Sequence, residues 1–119
     1  MAFGDKIRQI RLQKELLQSD ITKVLGYETD SYISDVERNK FIPQPDKLEK
    51  LAEALGMTAE EIEDLVLEEK LEKLGMDDPA FTMMFKEIPR MTKEEKQSLI
   101  RAYESVLRAR QAKKQKKRS

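Results

Sequence analysis

The chain has 119 residues, with 23 basic and 23 acidic side chains and neither cysteine nor histidine. This length suits one compact domain, or a small domain with an appendage. The missing residue types exclude disulfides, thiolate or imidazole metal ligands and imidazole catalysis. The N-terminus lacks the apolar segment of a signal peptide, and no apolar run reaches the roughly 18 residues expected of a membrane-spanning helix. We therefore expect a soluble cytoplasmic protein.

The formal net charge of zero conceals an asymmetry between the two halves of the chain. Residues 1–66 carry 9 basic and 14 acidic side chains, whereas residues 67–119 carry 14 and 9, so the balances are −5 and +5. The basic excess lies in the final stretch RARQAKKQKKRS, which contains no acidic residue. A split of this kind suggests a tail, a partner or nucleic acid.

Apolar residues recur at helical spacing along nearly the whole chain, and the strict alternation typical of strands is absent. The first predicted helix contains IRQIR. The second, QSDITKVL, ends at Gly26, which permits the positive φ of a helix C-terminus. The third follows Thr29 or Asp30 as N-cap and precedes Asn39, a residue that tolerates the left-handed conformation.

Two capping boxes mark the starts of later helices. Thr58 and Glu61 open the fifth helix, which follows a fourth containing LEKLAEAL. Thr92 and Glu95 open a long final helix, and Gly75 separates the fifth helix from a short Met-rich helix, PAFTMMFKEI. The chain therefore divides into five helices followed by two.

Two short helices joined by a glycine-containing bend and flanked by three more form a helix-turn-helix domain. The ordered set IRQIR, LQSDITKVLG, YISDVERN and LEKLAEALGM resembles the Xre/Cro/cI-type helix-turn-helix family over residues 3–66. We expect an all-α fold: a DNA-binding domain over residues 1–74, a helical oligomerisation segment over residues 75–112 and a basic disordered tail over residues 113–119.

The resemblance implies which residues bind DNA. Gln18 begins the second helix, where its amide can bridge a phosphate and a base edge, and the third helix would enter the major groove. Asn39 and Lys40 would contact a phosphate through backbone N–H groups and a basic side chain. Arg11 and Glu37 would form the ion pair that ties the first helix to the third. The predicted DNA-binding set is Gln18, Ser19, Thr29, Asp30, Ser31, Tyr32, Ser34, Asp35, Arg38, Asn39 and Lys40.

Two features depart from the family pattern. The stretch from Gly26 to Ser34 is one residue longer than usual, which leaves the start of the reading helix open. Thr22 stands where the family usually has alanine, and we regard it as small enough for the helix crossing. The segment predicted to read DNA is also acidic. Asp30 either caps the third helix or reads a base. Asp35 would accept a hydrogen bond from cytosine, and it would therefore contribute to sequence selectivity rather than to attraction for DNA.

An acidic domain needs local cations, because phosphate contacts usually supply most of the affinity for DNA. Candidates for the DNA side are Arg8, Lys14, Lys23, Arg38 and Lys40. The basic tail either adds phosphate contacts or is a solubilising end.

The C-terminal segment is too small to fold alone, and a symmetric dimer is the economical solution. Its residue order, DPAF…IPRMTKEEKQSLIRAYESVL, loosely resembles the C-terminal segments of Xre-type repressors that are paired with a metallopeptidase of the ImmA/IrrE kind. That resemblance implies operator release by cleavage. Alternatively, the Met-rich helix is a partner groove or simply packs on the last helix. The predicted dimerisation residues are Phe81, Met84, Phe85, Leu99, Ile100, Tyr103, Val106 and Leu107.

The leading hypothesis is a dimeric repressor that binds a palindromic operator in double-stranded DNA, with a regulatory metallopeptidase or antirepressor protein as a further partner. The alternative is an antitoxin or interaction regulator that mainly binds a partner protein, which the acidic domain and the Met-rich helix favour. An enzyme is disfavoured, and we expect no cofactor or metal. The resemblance suggests a bacterial or phage origin.

Overall fold

The computed structural model describes residues 1–73 and 86–118, with side chains described as far as residue 113. All regular elements in these ranges are helical, as predicted. They are α1 (Phe3–Gln13), α2 (Gln18–Leu25), α3 (Ser31–Glu37), α4 (Pro45–Leu55), α5 (Ala59–Lys73), a 3-10 turn (Ile88–Arg90) and α6 (Lys93–Arg118).

The chain divides into two compact units, Met1–Lys73 and Leu74–Ser119. We had expected the DNA-binding domain to end at residue 74. In the described part of the chain, no helix combines the length and apolarity needed to cross a bilayer.

The five helices of the first unit enclose one apolar core. Each helix contributes side chains at three- or four-residue spacing, which places them on a single face. Burying one such side chain stabilises the fold by about 1.5–3 kcal/mol, so this cluster dominates the stability of the unit. Its members are Phe3, Ile7, Ile21, Leu25, Ile33, Val36, Leu48, Leu51, Ala52, Leu55, Ile62 and Val66.

The first four helices end in the same way. A residue with φ between 57° and 81° follows each helix. The next N–H then donates to a carbonyl one turn inside the helix. This arrangement satisfies carbonyls that would otherwise lack partners and turns the chain sharply. Gly26 adopts the left-handed conformation as predicted, and so does Asn39. The four residues are Glu15, Gly26, Asn39 and Gly56.

The N-terminus of α1 lies directly against the C-terminal end of α3. The Gly4 N–H donates to Asn39 Oδ1 at 2.7 Å, and Asn39 Nδ2 donates to Asp5 Oδ1 at 3.1 Å. A Cβ added at Gly4 would lie only 2.1 Å from the Val36 carbonyl oxygen. Only glycine fits this approach, and the Asn39 side chain is committed to holding α1 against α3.

One buried arginine connects α1, α3 and the segment that leads into α2. Arg11 Nε donates to Glu37 Oε2 at 2.9 Å, and Arg11 Nη2 donates to Glu37 Oε1 at 3.0 Å. Arg11 Nη1 donates to the Leu16 carbonyl at 2.9 Å. Arg11 is 9% exposed and Glu37 is 6% exposed, so this two-pronged pair lies inside the fold.

Both capping boxes form. Thr58 and Glu61 exchange hydrogen bonds of 3.2 and 3.1 Å between side chain and backbone. Thr92 and Glu95 exchange two of 3.2 Å. These bonds satisfy free N–H groups at the starts of α5 and α6.

The second unit differs from expectation at its end. Helix α6 continues to Arg118, so the expected disordered tail is wrong for residues 113–118. Lysine, arginine, glutamine and alanine all favour helix, and cations near a helix C-terminus are favourable to its dipole. Of the predicted dimerisation residues, Phe81, Met84 and Phe85 lie outside the described residues.

We expect the substitution Arg11→Ala to lower the free energy of unfolding of the full chain by roughly 3–5 kcal/mol, because it leaves the Glu37 carboxylate buried without its cation. Urea denaturation followed by helical circular dichroism measures this change.

Arg8→Ala is the matched control for this prediction, since Arg8 is an exposed arginine on the same helix. Its effect should stay within roughly 0.5 kcal/mol. Equal urea midpoints for the two variants would show that the buried pair contributes nothing.

Candidate nucleic-acid interface

The N-terminus of α2 presents Gln18 as its first helical residue. The N-cap residue of α2 is Leu17. The Asp20 carboxylate accepts from the Leu17 N–H at 2.8 Å and closes the first turn. Since Gln18 is not needed as a cap, its side-chain amide remains available to a ligand at this helix end.

An open concavity of about 250 Å³ lies where α1, α2 and α3 meet. The predicted DNA-binding residues Gln18, Ser34 and Arg38 all line it, although they come from two different helices. Their donors therefore converge on one surface. The complete set of described lining residues is Arg8, Arg11, Gln18, Ser34, Glu37 and Arg38.

The charge of this concavity is opposite to that of its surroundings. The unit Met1–Lys73 carries 11 basic and 17 acidic side chains, a balance of −6. The lining of the concavity has three arginines and one glutamate, a balance of +2. A local excess of guanidinium groups, with an amide and a hydroxyl beside them, suits a phosphate oxygen and an adjacent base edge.

The outward face of α3 continues this surface. Ser34 and Asp35 each lie three or four residues from both Ser31 and Arg38, so the four side chains share one side of the helix. Arg38 Nη2 donates to Ser34 Oγ at 2.8 Å, which holds the guanidinium along the helix. The core residues Ile33 and Val36 occupy the opposite face.

The acidic side chains of the reading segment have cationic or donor partners. Asp35 Oδ1 lies 3.2 Å from the Lys40 ammonium, and both side chains remain partly exposed. Asp30 Oδ1 accepts from the buried Thr22 hydroxyl at 2.7 Å. Asp30 holds the N-cap position of α3, but its side chain makes no capping hydrogen bond. The carboxylates are therefore not simply free charges facing a polyanion.

The structure places Tyr32 in an aromatic cluster at the flank of α3. Its ring centroid lies 4.7 Å from that of Tyr27 and 5.1 Å from that of Phe41. The Lys47 ammonium lies 4.6 Å from the Tyr27 ring centroid. Burial, followed by electrostatic repulsion from the neighbouring Tyr27 and Asp46 side chains, raises the pKa of the Tyr32 hydroxyl. That hydroxyl therefore stays protonated at neutral pH, and the ring packs against its neighbours.

The two backbone N–H groups that were predicted to contact a phosphate have hydrogen-bond partners within the fold. The backbone N–H groups of Asn39 and Lys40 already donate to the carbonyls of Val36 and Asp35 at 3.0 and 3.1 Å. The contact expected from these N–H groups would require those bonds to break, which leaves the Lys40 ammonium as the available donor.

The remaining predicted contacts surround the concavity without lining it. Ser19 is half-buried, and Lys23 is exposed on α2. The exposed Thr29 hydroxyl donates to Ser31 Oγ at 3.2 Å. Lys14 donates to the Leu55 carbonyl at the end of α4, which is a structural contact.

Sequence reasoning missed the role of Thr22. We had treated this residue as a tolerated replacement in the helix crossing, yet its buried hydroxyl bonds to the residue that begins α3. The sequence contained a signal for this contact. The two expected departures from the family pattern are a threonine on the second helix and a longer turn, and that turn ends in an aspartate.

These features match a known family. The model of the helix-turn-helix family (HTH_3) matches residues 7–62, which run from within α1 to the start of α5. The chain belongs to this family and is a helix-turn-helix DNA-binding regulator. The resemblance seen in the sequence is thereby confirmed.

Two relatives resemble the chain over different extents. The control protein C.BamHI of Bacillus amyloliquefaciens is 37% identical over 67 residues, which cover 54% of this chain and 79% of that protein. An immunity repressor protein of Bacillus phage phi105 is 27% identical over 125 aligned residues, which cover 91% of this chain and 86% of that protein. The second similarity therefore extends into the C-terminal unit.

We expect Asp35→Ala to relax sequence preference without weakening binding to random duplex DNA. A carboxylate that accepts from cytosine contributes about 1–3 kcal/mol of discrimination at one base pair. Its removal also releases the Lys40 ammonium for phosphate. Fluorescence anisotropy on an operator and its single-base variants would measure both effects.

Glu28→Ala is the control for this prediction, since it removes an exposed acidic side chain near the same helix and changes the net charge equally. It should leave the base preference intact. An equal loss of affinity on every duplex after Asp35→Ala would show that Asp35 is not a base reader.

Proposed function

We propose that the protein represses transcription by binding a palindromic operator as a twofold dimer. The observation that carries this proposal is the concavity between α2 and α3. Gln18, Ser34 and Arg38 converge there, and the lining is positive in an otherwise acidic unit. A positive lining of this kind is complementary to the phosphates of a duplex.

In the proposed complex, α3 enters the major groove and the N-terminus of α2 lies against the backbone. Gln18, Arg8 and Arg38 would hold phosphates and set the register of the protein on the duplex. Ser31, Ser34 and Asp35 would face base edges. Because Asp35 accepts but cannot donate, it would favour an exposed amino group such as cytosine N4.

The size of the reading surface favours a dimer. Helix α3 has only seven residues, so one copy contacts few base pairs. Two copies related by a twofold axis would double the phosphate contacts and match a palindrome. An apolar stripe on α6 could supply the contact between copies, because its members remain partly exposed and repeat at seven-residue spacing. They are Leu99, Ile100, Tyr103, Val106 and Leu107.

Selection of bound sequences from random duplex DNA tests this function. We expect an enriched palindrome whose half-site centres lie about 10 base pairs apart, one turn of the duplex. Affinity for it should fall steeply as salt rises, because phosphate contacts release counterions. If no sequence is enriched and no salt-sensitive complex forms, the protein acts instead through a partner protein.

The dimer is tested on the same duplexes with Ile100→Arg, which adds a charge to the stripe. This variant should bind a duplex that contains one half-site, and a second half-site in the same duplex should add little to its affinity. Ala102→Arg adds the same charge to an exposed position on the same helix and should bind like the parent. Unchanged two-site binding by Ile100→Arg would place the dimer contact elsewhere.

We further propose that cleavage within residues 75–112 releases the operator. The similarity to a phage immunity repressor over 91% of the chain supports a repressor-type C-terminal unit. Incubation with an ImmA/IrrE-type metallopeptidase and its metal should yield a shortened chain that loses two-site binding. An intact chain, under conditions that cut a known substrate of the same enzyme, would exclude this mode of regulation.

A further inference from the structure

The two departures from the family pattern meet in one hydrogen bond. Thr22, the hydroxyl residue at an alanine position, lies on α2 and is only 5% exposed. Asp30 ends the lengthened turn and is the N-cap residue of α3. The Thr22 hydroxyl donates to Asp30 Oδ1 at 2.7 Å. The extra residue in the turn and the unusual residue in the helix thus share one contact.

Both partners have a physical reason to keep this bond. A buried hydroxyl without a hydrogen bond is costly, and a threonine within a helix commonly bonds to a carbonyl of its own helix instead. Here the donor reaches the next element and meets a carboxylate, which makes a stronger, charge-assisted bond. Asp30 makes no side-chain capping bond to α3, so its carboxylate is committed to α2.

Apart from this bond, the turn meets α3 through the packed rings of Tyr27 and Tyr32, whose centroids lie 4.7 Å apart. The turn runs through residues 26–30, and every one of these residues is exposed. The Thr29 hydroxyl donates to the side chain of Ser31, two residues further along the chain, so this bond does not connect α3 to α2. The Thr22–Asp30 bond, in contrast, joins a buried position on α2 to the first turn of α3. It therefore limits how far α3 can shift or rotate relative to α2.

We propose that Thr22 is a positioning residue that sets sequence specificity without touching DNA. The inference rests on the proposed DNA-reading function, because Gln18 on α2 and Ser34 on α3 must face one duplex together. Direct readout requires such groups to be held within roughly 0.5 Å of the productive geometry. The bond adds a directional restraint to the ring contact across this exposed turn. Asp30 then acts through α3 and is not a base reader.

The test compares Thr22→Val, which keeps the shape and removes the hydroxyl, with Thr22→Ser, which keeps the hydroxyl. Affinity is measured for the selected operator and for random duplex at one salt concentration. Thr22→Val should lower the ratio of the two affinities by about tenfold, a loss in the range expected for one hydrogen bond to a charged group. Binding to random duplex should not change.

Two variants serve as controls. Thr22→Ser should restore the ratio to within about twofold of the parent, well inside the change expected for a lost charged hydrogen bond. Glu28→Ala removes an exposed side chain from the same turn and should also retain the ratio. An unchanged ratio in Thr22→Val, or an equal fall on both duplexes, would overturn the inference.

Asp30→Ala separates positioning from direct reading. If Asp30 acts through Thr22, the double variant Thr22→Val with Asp30→Ala should behave like either single variant, because each single substitution already removes the same bond. It should also weaken preference at several base pairs together. Loss of preference at a single base pair in Asp30→Ala, with no such loss in Thr22→Val, would identify Asp30 as a base reader and overturn the inference.

A measurement on the free protein keeps this inference distinct from the proposed function. The Ser34 N–H donates to the Asp30 carbonyl at 2.9 Å, in the first turn of α3. Its hydrogen exchange should accelerate in Thr22→Val but not in Thr22→Ser or Glu28→Ala. Unchanged exchange would refute the restraint even if the operator is found. Accelerated exchange in a protein that selects no operator would instead refute the proposed function.

Discussion

The guanidinium of Arg11 holds together the three segments on which the proposed DNA-facing surface depends. It lies on α1, donates to the Leu16 carbonyl just before α2 and forms a two-pronged bond with Glu37 at the end of α3. Because the group is planar, its donors fix direction as well as distance. Arg11 and Glu37 also line the concavity, beside Gln18 and Arg38. The walls of the proposed binding surface are thus arranged before any duplex arrives.

Local charge resolves the apparent conflict between an acidic domain and a polyanionic ligand. Screening reduces interactions between exposed charges over about 8 Å at physiological ionic strength, so nearby groups dominate at contact. The concavity has a balance of +2, whereas the unit around it has −6. Asp35 has Lys40 beside it, and Asp30 is bonded to Thr22. The net charge of the unit would weaken non-specific attraction, which is compatible with selective binding.

Much of the fold followed from short-range patterns in the sequence. Helical spacing predicted the five helices, and the left-handed residues Gly26 and Asn39 were recognised from their types and places. Both capping boxes were also visible, because each depends on two residues only three positions apart. The basic end of α6 was misjudged, since a high density of like charges suggested disorder while the same residues have high helix propensity.

The functional surface was less visible in the sequence. Gln18, Ser34 and Arg38 were named as DNA-binding residues, but their convergence with Arg8 depends on the crossing of three helices. Asn39 was expected at the phosphate through its backbone N–H, and nothing in the sequence indicated that its side chain bonds to Gly4, 35 residues away in the chain. Tyr32 was expected at a base, and nothing in the sequence indicated that its ring lies beside those of Tyr27 and Phe41. Each of these contacts joins residues of different segments, so spacing within one helix does not predict it.

The sequence by itself determined the helices, their ends and the family, because periodicity, capping and turn chemistry act over a few residues. Only the tertiary structure decided which polar side chains remain available to DNA. A donor or acceptor within hydrogen-bonding distance of a neighbour is satisfied by it, and that distance depends on how the helices cross. Thr22 shows the difference: the sequence marked it only as a tolerated departure from the family pattern, and its bond to Asp30 became apparent only where the start of α3 comes within 2.7 Å.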